Sequence, residues 1–588
     1  MRDRVKRYSR RLAFATLLIL ILLPLTLGTP RLTSTAARQT LVDNFEVVSA
    51  PASWTLTSGA EFPGAIGTLT IGAGHDSERG ARLTYDFSQG GSYVGAELQL
   101  ARPLAAATVA FWIKSPPDIQ VVVRVVDESG QTLQYHPPRP AETFDAATWH
   151  HQTVDLTQPT GCWGGADDGV LHGTLQRISI LAADHRKPGA VGVLEFDDVA
   201  VSDQVIINLD PLTMPLVPVP SESAELNSRL GVNIHFTHDA AALDIAHAIG
   251  FTWVRMDLPW IEIETVPGVY DFAAHDQLIA DLDARGMRAL FILDYGNPLY
   301  TGSERTPPAT PAAREAFGRF AEAAARHFAG HGVSYEIWNE PNVGFFWPPQ
   351  PSAVQYAALL DEVTVHLRAG DPQARIVTGG LSCGDFAFLR SFLAEIETTG
   401  VTAIGFHPYR ATAPETLIGE LAVWRSIVSQ TAASNLPTWD TEWGYSSTWF
   451  GNGHAPEARA RHAVMVAREL LTSWSAGFPL IIYYDLRDDG TDPNDAEHNF
   501  GLLARDGTAK PAMQAVHTLT TAASQRQLRG LLSINLPNVL HALRLDGSTD
   551  SVVVLWASSG QATVRVPARV TAVDALGEPL ALRSVGRQ

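Results

Sequence analysis

Two glutamates stand out because each ends a short apolar stretch that has the pattern of a buried strand. Glu340 closes the segment Tyr335-Glu-Ile-Trp-Asn-Glu340, and Glu442 closes Trp439-Asp-Thr-Glu442. Two carboxyl groups about 5 Å apart can cleave a glycosidic bond together, one donating a proton to the leaving oxygen and one attacking the anomeric carbon. Like charge and partial burial would raise one of the two pKa values. The residues alone leave open which glutamate takes which role.

The elements around these glutamates predict how residues far apart in the chain could meet. From Leu230 onward, short apolar strands alternate with longer amphipathic helical stretches, which is typical of parallel strands covered by helices. The count favours a (β/α)₈ TIM barrel over residues 227–524 rather than an open doubly wound sheet, and strands four and seven of a barrel can face each other across its mouth. The predicted strands lie near Gly231–Phe236, Trp253–Leu258, Ala289–Asp294, Ser334–Asn339, Arg375–Gly380, Ala403–His407, Thr438–Glu442 and Leu480–Asp485, and helices include Pro311–Phe328, Ser352–Ala369 and Pro456–Ser475.

The segment Trp338-Asn-Glu-Pro-Asn342, followed by the later Glu442, resembles the signature of clan A glycoside hydrolases. The resemblance spans the predicted barrel. It implies a retaining enzyme that cleaves a β-type glycosidic bond, with Glu340 as general acid/base and Glu442 as nucleophile. It also implies that Asn339 binds the 2-hydroxyl group of the sugar.

Further positions are similar to supporting residues of the same clan. Arg255 in Val254-Arg-Met-Asp257 is similar to the strand-two arginine, which implies a contact that keeps the nucleophile ionised. His407 and Tyr409 in Phe406-His-Pro-Tyr409 resemble the strand-six pair, which implies that they position the nucleophile by hydrogen bonding. A structural ion pair for Arg255 and a core histidine for His407 stay open as alternatives.

Within the clan, three segments resemble glycoside hydrolase family 39 and its exopolysaccharide-cleaving relatives: Gly231-Val-Asn-Ile-His235, Leu293-Asp-Tyr-Gly-Asn-Pro298 and Asn499-Phe-Gly-Leu502. The chain departs from the clan at strand eight, where Tyr483 and Tyr484 stand in place of the Trp platform of many members. Aromatic rings on the loops after strands four and seven could stack on sugars or anchor those loops. The residues expected to bind substrate are His235, Asp294, Asn297, Trp347, Trp449 and Tyr484.

The regions on either side of the barrel are predicted to be β-structured. Residues 39–205 show alternating apolar stretches typical of a β-sandwich, and its ends, Val42-Asp-Asn-Phe-Glu46 and Leu194-Glu-Phe-Asp-Asp-Val-Ala-Val201, resemble those of jelly-roll carbohydrate-binding modules. Prolines mark residues 206–226 as an extended linker, and residues 525–588 are predicted to form a small β-domain. The tryptophans that could either stack on sugars or fill the sandwich core are Trp54, Trp112, Trp149 and Trp163.

The N-terminus has the pattern of an export sequence. Basic residues precede an apolar run over 12–28, and small residues follow at 34–37. Residues 1–38 are therefore interpreted as a cleaved signal peptide or an uncleaved anchor, and the protein as secreted or extracytoplasmic, with membrane attachment only through 12–28. Pro24 interrupts the run, so the choice between signal and anchor stays open.

The composition limits the classes of molecule that the protein is expected to bind. The 43 Lys and Arg residues against 62 Asp and Glu residues give a formal charge of −19, which repels nucleic acid, so a polysaccharide or oligosaccharide is the expected partner. No cofactor and no metal are expected, because the acidic stretch over 485–495 lacks EF-hand spacing and no His/Cys cluster has zinc spacing. Two rival hypotheses stay open: a catalytically idle carbohydrate-binding surface protein, and an exo-acting enzyme similar to β-xylosidases. The sugar, the linkage and the oligomeric state are not fixed by the sequence.

Overall fold

The structure, a computed structural model, describes fifteen stretches of the chain. The long continuous stretch, 225–534, contains the residues proposed above for catalysis and substrate binding. The described residues are 16–22, 39–46, 54–59, 62–116, 119–137, 147–157, 159–183, 189–203, 206–209, 211, 214–220, 225–534, 540–557, 563–567 and 570–582.

A curled sheet of nine parallel strands forms the centre of the long stretch. Its first strand, Leu230–Asn233, pairs with the second strand on one side and with the last strand on the other. The first and last strands of the sheet are therefore neighbours. Arg375–Thr378 and Leu381–Ser382 are separated only by two glycines and occupy one position, which gives eight positions in all. The nine strands are Leu230–Asn233, Trp253–Pro259, Arg288–Asp294, Ser334–Ile337, Arg375–Thr378, Leu381–Ser382, Ile404–His407, Thr438–Trp443 and Ile481–Tyr483.

Helices connect these strands and cover the outside of the sheet. Thr310 caps the helix Pro311–His327 by accepting a hydrogen bond from the backbone of Ala313, and Pro311 occupies the first turn, where its missing N–H costs nothing. The three helices predicted by range agree with the structure to within one residue at each end. The α-helices of this stretch are Ala240–Ala248, Trp260–Ile263, Ala273–Asp283, Pro298–Thr301, Pro311–His327, Ala353–Gly370, Phe386–Leu393, Leu417–Val428, Pro456–Ala476 and Pro511–Ala523.

Side chains inside the curled sheet change from apolar to charged along the strands. Trp253, Leu290 and Trp439 belong to one buried apolar cluster near the amino ends of their strands. Because side chains alternate between the two faces of a strand, the next inward positions include Arg255 and Thr441, two residues further on. Both are buried. The apolar layer therefore supports a polar layer at the carboxyl end of the sheet.

Two six-stranded antiparallel sheets precede the curled sheet and enclose a shared core that contains Phe111, Val123, Ile180 and Phe196. Trp54 belongs to this core. Trp163 is 43% exposed on an edge strand, and the guanidinium group of Arg124 lies over its ring, 5.1 Å from the ring centre. One sheet contains Gln39–Asp43, Ile66–Gly72, Gly80–Asp86, Thr108–Lys114, His150–Asp155 and Val191–Ser202, and the other contains Trp54–Ser58, Tyr93–Leu104, Gln120–Val126, Thr132–Tyr135, Gly161–Trp163 and Leu175–Ala183.

A further six-stranded sheet, four of whose strands follow the curled sheet in sequence, packs against it. Leu543, Leu545, Val552 and Val554 from one face of this C-terminal sheet belong to the same apolar core as the curled sheet. Its strands are Leu216–Val217, Gln527–Leu532, Leu540–Asp546, Asp550–Ala557, Thr16–Leu22 and Val570–Asp574.

Two regions expected to lie outside folded domains contribute to this part of the structure. Leu216–Val217, from the predicted linker, pairs with Gln527–Leu532 at the edge of the C-terminal sheet. Thr16–Leu22, from the predicted export sequence, lies between Asp550–Ala557 and Val570–Asp574. The rest of residues 1–38 falls outside the described residues. Among the helices that are described, none has the length and apolar character needed to cross a membrane.

Candidate active site

Glu340 lies just beyond the strand Ser334–Ile337, on a backbone with unusual geometry. Trp338 and Glu340 have φ angles of 70° and 43°, in the left-handed region that residues other than glycine rarely adopt. The Trp338 ring is fully buried and its Nε1 donates a hydrogen bond to the carbonyl oxygen of Phe346 at 3.1 Å. Packing of this ring therefore holds a strained turn that sets the position of the Glu340 carboxyl group.

Glu442 lies in the strand Thr438–Trp443, and its carboxyl group accepts hydrogen bonds from two different residues. The Tyr409 hydroxyl donates to Oε1 at 2.9 Å, and Arg255 donates to Oε2 through Nη1. Burial would raise the pKa of Glu442, but the charges of Arg255 and His407 and the Tyr409 hydrogen bond outweigh it and lower the pKa. Glu442 is therefore held ionised.

The two glutamates meet at the carboxyl end of the curled sheet. One carboxyl oxygen of Glu340 and one of Glu442 lie within 4.8 Å of each other, and a ring nitrogen of His407 lies within the same distance of both. Carboxyl pairs of retaining glycosidases are about 5–5.5 Å apart, whereas those of inverting enzymes are about 6.5–9.5 Å apart to admit a water molecule. The spacing therefore fits direct attack by one carboxylate.

Arg255 connects the residues around Glu442. Its guanidinium group is 1% exposed and donates to Glu336 at 2.7 Å, to the side-chain oxygen of Asn233 at 3.1 Å and to that of Asn339 at 2.9 Å, besides Glu442. Arginine can only donate, so it fixes which end of each amide faces it. The Asn339 amide nitrogen is thereby left to donate to another group.

His407 is fully buried between two carboxylates, and its contacts differ from the expectation. Its Nδ1 lies 3.0 Å from Glu340 Oε1 and its Nε2 lies 3.6 Å from Glu336 Oε1. Burial would lower the pKa of His407, but Glu442, Glu336 and Glu340 together raise it to about 9. The predicted hydrogen bond from His407 to Glu442 was wrong, because the ring sits between Glu336 and Glu340.

Glu336 was missed by sequence reasoning. It is fully buried and accepts hydrogen bonds from Arg255, from the Gly380 backbone at 2.8 Å and from the Thr441 hydroxyl at 3.0 Å. Burial alone would raise its pKa, but Arg255 and His407 lower it to about 2. The available signal was a charged residue inside an apolar strand, where only a paired carboxylate is tolerated.

Three residues predicted to bind substrate are buried. Asn297 donates to the carbonyl oxygens of Trp260 and Glu264 and caps the short helix Pro298–Thr301, so its amide is fully used. Trp347 is 1% exposed and packs on Trp338. Asp294 is fully buried, and burial together with the neighbouring Asp257 raises its pKa well above the ordinary value. None of the three presents a polar atom or an open ring face to solvent, so a role in sugar binding stays a prediction for them.

The other three predicted residues remain accessible. The His235 side chain is 34% exposed and its ring lies 5.5 Å from that of Tyr484, centroid to centroid. Trp449 is 38% exposed and packs edge-on against Phe500. Tyr484 also packs against Phe500, so these aromatic side chains form a continuous wall near Glu442.

Potential metal ligands converge in three groups among the described residues. One is the Glu340, His407 and Glu442 cluster, in which hydrogen bonds already account for the arrangement. A second lies on helices covering the sheet, and a third lies at the rim of the site. The groups are Glu340, His407 and Glu442; Glu315, Glu362 and His366; and His235, Asp485 and Asp489.

Comparison with known proteins gives a similarity of fold. No protein-family model and no curated protein matches the sequence. A solved family 39 glycoside hydrolase from the gut symbiont Bacteroides cellulosilyticus WH2 is 19% identical, with a TM-score of 0.50 over 79% of this chain and 87% of that chain. The chain shares the fold of that enzyme. The GH39 enzyme from Xanthomonas axonopodis pv. citri is 19% identical over 58% of this chain and 74% of that one, with a TM-score of 0.46.

Proposed function

We propose that this protein is an exported retaining glycoside hydrolase that cleaves O-glycosidic bonds of a polysaccharide. The observation that carries the proposal is the approach of Glu340 and Glu442 to within 4.8 Å. Of the two glutamates, only Glu442 accepts hydrogen bonds from Arg255 and Tyr409, which separates the two carboxyl groups chemically. Glu442 is assigned as the nucleophile and Glu340 as the general acid/base.

In the first step, the ionised Glu442 attacks the anomeric carbon while Glu340 donates its proton to the leaving glycosidic oxygen. The bond between the anomeric carbon and that oxygen breaks, and its electron pair goes to the oxygen. Asn339, held at its oxygen by Arg255, is assigned to donate its amide hydrogen to the sugar 2-hydroxyl group.

In the second step, water hydrolyses the ester between the sugar and Glu442. Glu340 gave up its proton in the first step and is now a carboxylate. Its carboxylate then accepts a proton from the attacking water. His407, held cationic by the surrounding carboxylates, stabilises the ionised Glu340 through the contact at 3.0 Å.

The other parts of the chain receive roles within the same proposal. The curled sheet with its helices is assigned as the (β/α)₈ catalytic barrel. The sandwich over 39–205 is assigned as a carbohydrate-binding module that holds the enzyme near its polymer, and the basic and apolar N-terminus as the export signal. The exposed ring of Trp163 supports the sandwich assignment because an accessible indole face can stack on a sugar.

Replacement of each glutamate by glutamine tests the proposal. Glu340→Gln and Glu442→Gln should each reduce kcat/KM on the best substrate from a polysaccharide panel by about 10²–10⁴-fold. Glu315→Gln, on the outer helix Pro311–His327, is the matched control and should retain full activity. Proton NMR of the first-formed product should show the same anomeric configuration as the glycosidic bond of the substrate. Wild-type turnover by either active-site variant, an inverted product, or no hydrolysis of any polysaccharide would contradict the proposal.

A further inference from the structure

The loop that follows Glu340 exposes a phenylalanine that has no role in the two steps above. Phe345 lies five residues after Glu340 in the sequence, and the residue is 60% exposed. Single exposed apolar residues are common on protein surfaces and need no explanation. Phe345 differs from such residues in its position beside the candidate acid/base and in the contacts that fix its ring.

Two successive turns keep this loop close to Glu340. The backbone oxygen of Glu340 accepts a hydrogen bond from the N–H group of Val343 at 2.9 Å, and the backbone oxygen of Val343 accepts one from Phe346 at 3.0 Å. A turn of this kind spans less than about 7 Å, so the loop folds back beside Glu340 instead of extending away from it. The Trp338 indole holds the second turn by donating to the carbonyl oxygen of Phe346. Phe345 therefore lies on a fixed backbone at the rim of the site.

Contacts between aromatic rings connect Phe345 to the cavity. The Phe346 ring stacks on the ring of Tyr295, with the two centroids 5.8 Å apart, and Tyr295 follows the third strand of the curled sheet. Burial raises the pKa of Tyr295, and the charge of Glu442 is among those that raise it further. The Phe345 ring is perpendicular to that of Phe346, at 88°, with the centroids 5.0 Å apart. Tyr295, Phe346 and Phe345 thus form a row of rings that leads from the cavity of Glu442 to solvent.

Arg305 covers one face of the Phe345 ring and leaves the other face open. It lies between the helices Pro298–Thr301 and Pro311–His327, and its guanidinium carbon is 4.8 Å from the centre of the ring. Because more than half of Phe345 stays exposed, the opposite face of the ring is accessible. Among the residues that the structure describes, the guanidinium group of Arg305 has no hydrogen-bond or ion-pair partner. Its N–H groups can therefore donate to a ligand that packs beside the ring.

We propose that Phe345 and Arg305 bind the sugar on the leaving-group side of the cleaved bond, so that the leaving group is a saccharide and not a small aglycone. This inference rests on the proposed function, in which Glu340 protonates the leaving oxygen. The leaving sugar then lies beside Glu340, where the open face of Phe345 packs on its C–H groups and Arg305 donates to its hydroxyl groups. The aromatic wall near Glu442 belongs to other elements, so the sugars on the two sides of the bond meet different side chains.

Kinetics of the full-length protein with and without a leaving-group sugar test the inference. The two probes are the tetrasaccharide of the polysaccharide that is hydrolysed fastest, and the glycosyl fluoride of its disaccharide in the configuration of the cleaved bond. Phe345→Ala should lower kcat/KM about tenfold on the tetrasaccharide and leave it unchanged on the fluoride, whose leaving group cannot contact the ring. Arg305→Gln should lower the tetrasaccharide value alone, about threefold or more.

Two further variants serve as controls. Phe345→Tyr keeps the ring and should retain the wild-type kcat/KM on both probes. Phe62→Ala removes a phenylalanine that is 50% exposed on the sandwich, and it should change neither value.

Equal losses on both probes would mean that Phe345 only holds the loop of Glu340 in place, and would overturn the inference. Wild-type activity of Phe345→Ala on the tetrasaccharide would overturn it as well. Failure here is distinguishable from failure of the proposed function. Hydrolysis of both probes that depends on Glu442 but not on Phe345 would keep the hydrolase while removing this binding site. If no polysaccharide of the panel is hydrolysed, both proposals fail.

Discussion

Among single residues, Arg255 does most to make the two active-site glutamates different. It binds Glu442 and Glu336 at once and donates to two asparagines, while Glu340 interacts with His407 instead. One buried cation thus balances two carboxylates. The sequence predicted the pairing of Arg255 with Glu442, but not the second carboxylate, Glu336, that shares it.

Arg255→Gln should destabilise the fold as well as reduce activity. Removal of the guanidinium group leaves the buried Glu336 and Glu442 with His407 as their remaining counter-charge, which costs about 3–5 kcal/mol in the free energy of unfolding. Urea denaturation measures this cost. Arg319→Gln is the control, since its ion pair with Glu315 is exposed and should contribute less than about 1 kcal/mol. An unchanged urea midpoint for Arg255→Gln would show that the buried Glu336 and Glu442 do not need the charge of Arg255 for stability.

Tyr409→Phe should change the pH dependence of catalysis. The hydroxyl group stabilises the ionised form of Glu442 and so helps to lower its pKa. Without it, the pKa of Glu442 rises toward the ordinary value, and the acidic limb of the kcat/KM profile moves to higher pH. Activity at the optimum should fall about tenfold or more, as expected for a hydrogen bond to a charged group.

The control for this experiment is Tyr445→Phe. The Tyr445 hydroxyl donates to the backbone oxygen of Thr412 rather than to a carboxylate. Its removal should leave the acidic limb in place. If the acidic limb of the kcat/KM profile is the same in Tyr409→Phe and in the wild type, then Tyr409 does not help to keep Glu442 ionised.

Among the structural elements, the interrupted fifth strand of the curled sheet approaches the residues of the candidate site very closely. A Cβ atom on Gly380 would lie 2.0 Å from His407 Nε2, and one on Gly379 would lie 2.4 Å from the Trp338 carbonyl oxygen. The two glycines therefore allow the backbone to approach both the buried imidazole and the strained turn that carries Glu340.

Gly380→Ala should lower kcat/KM by displacing the His407 ring from Glu340 and Glu336. We expect a loss of about tenfold or more, since a hydrogen bond to a charged group is disturbed. Gly419→Ala, on the helix Leu417–Val428, is the matched control because a Cβ atom there would meet no other atom within 4 Å. Full activity of Gly380→Ala, with its unfolding midpoint unchanged, would show that His407 does not depend on this close approach.

The same elements show what the sequence could and could not predict. Apolar strands and amphipathic helices follow from local periodicity, so their positions were predicted to within a few residues. The left-handed backbone at Trp338 and the burial of Trp347 follow from packing between distant segments. Asn297 illustrates the limit: its motif predicted a sugar ligand, whereas its position before Pro298 makes it a helix cap.

At the scale of the whole molecule, the C-terminal sheet is joined to the curled sheet by a specific contact. Trp556 is 2% exposed, and its indole nitrogen donates to Glu415 at 2.7 Å. Arg468, on the helix Pro456–Ala476, holds the same carboxylate through two hydrogen bonds. The predicted linker could not reveal this arrangement, because Leu216–Val217 pairs with a strand about three hundred residues later.

Trp556→Ala should weaken this junction without changing the chemistry. Loss of the buried ring should lower the free energy of unfolding by about 3–5 kcal/mol, whereas Trp556→Phe should cost less because it keeps most of the packing. Thermal and urea unfolding measure both changes. The kcat of the folded fraction should match the wild type, since Glu340 and Glu442 lie on other elements. An unchanged unfolding midpoint in both variants would contradict the docking of the sheet.

The proposed mechanism requires Glu442 to form a covalent bond to the sugar. Incubation with a 2-deoxy-2-fluoro analogue of the sugar that the protein hydrolyses fastest should trap this ester, because the fluorine slows the second step more than the first. Peptide mass mapping should then find one added sugar on Glu442, and none in Glu442→Gln. An adduct on Glu340 or on another residue, or hydrolysis of the true substrate with no trapped ester, would contradict it.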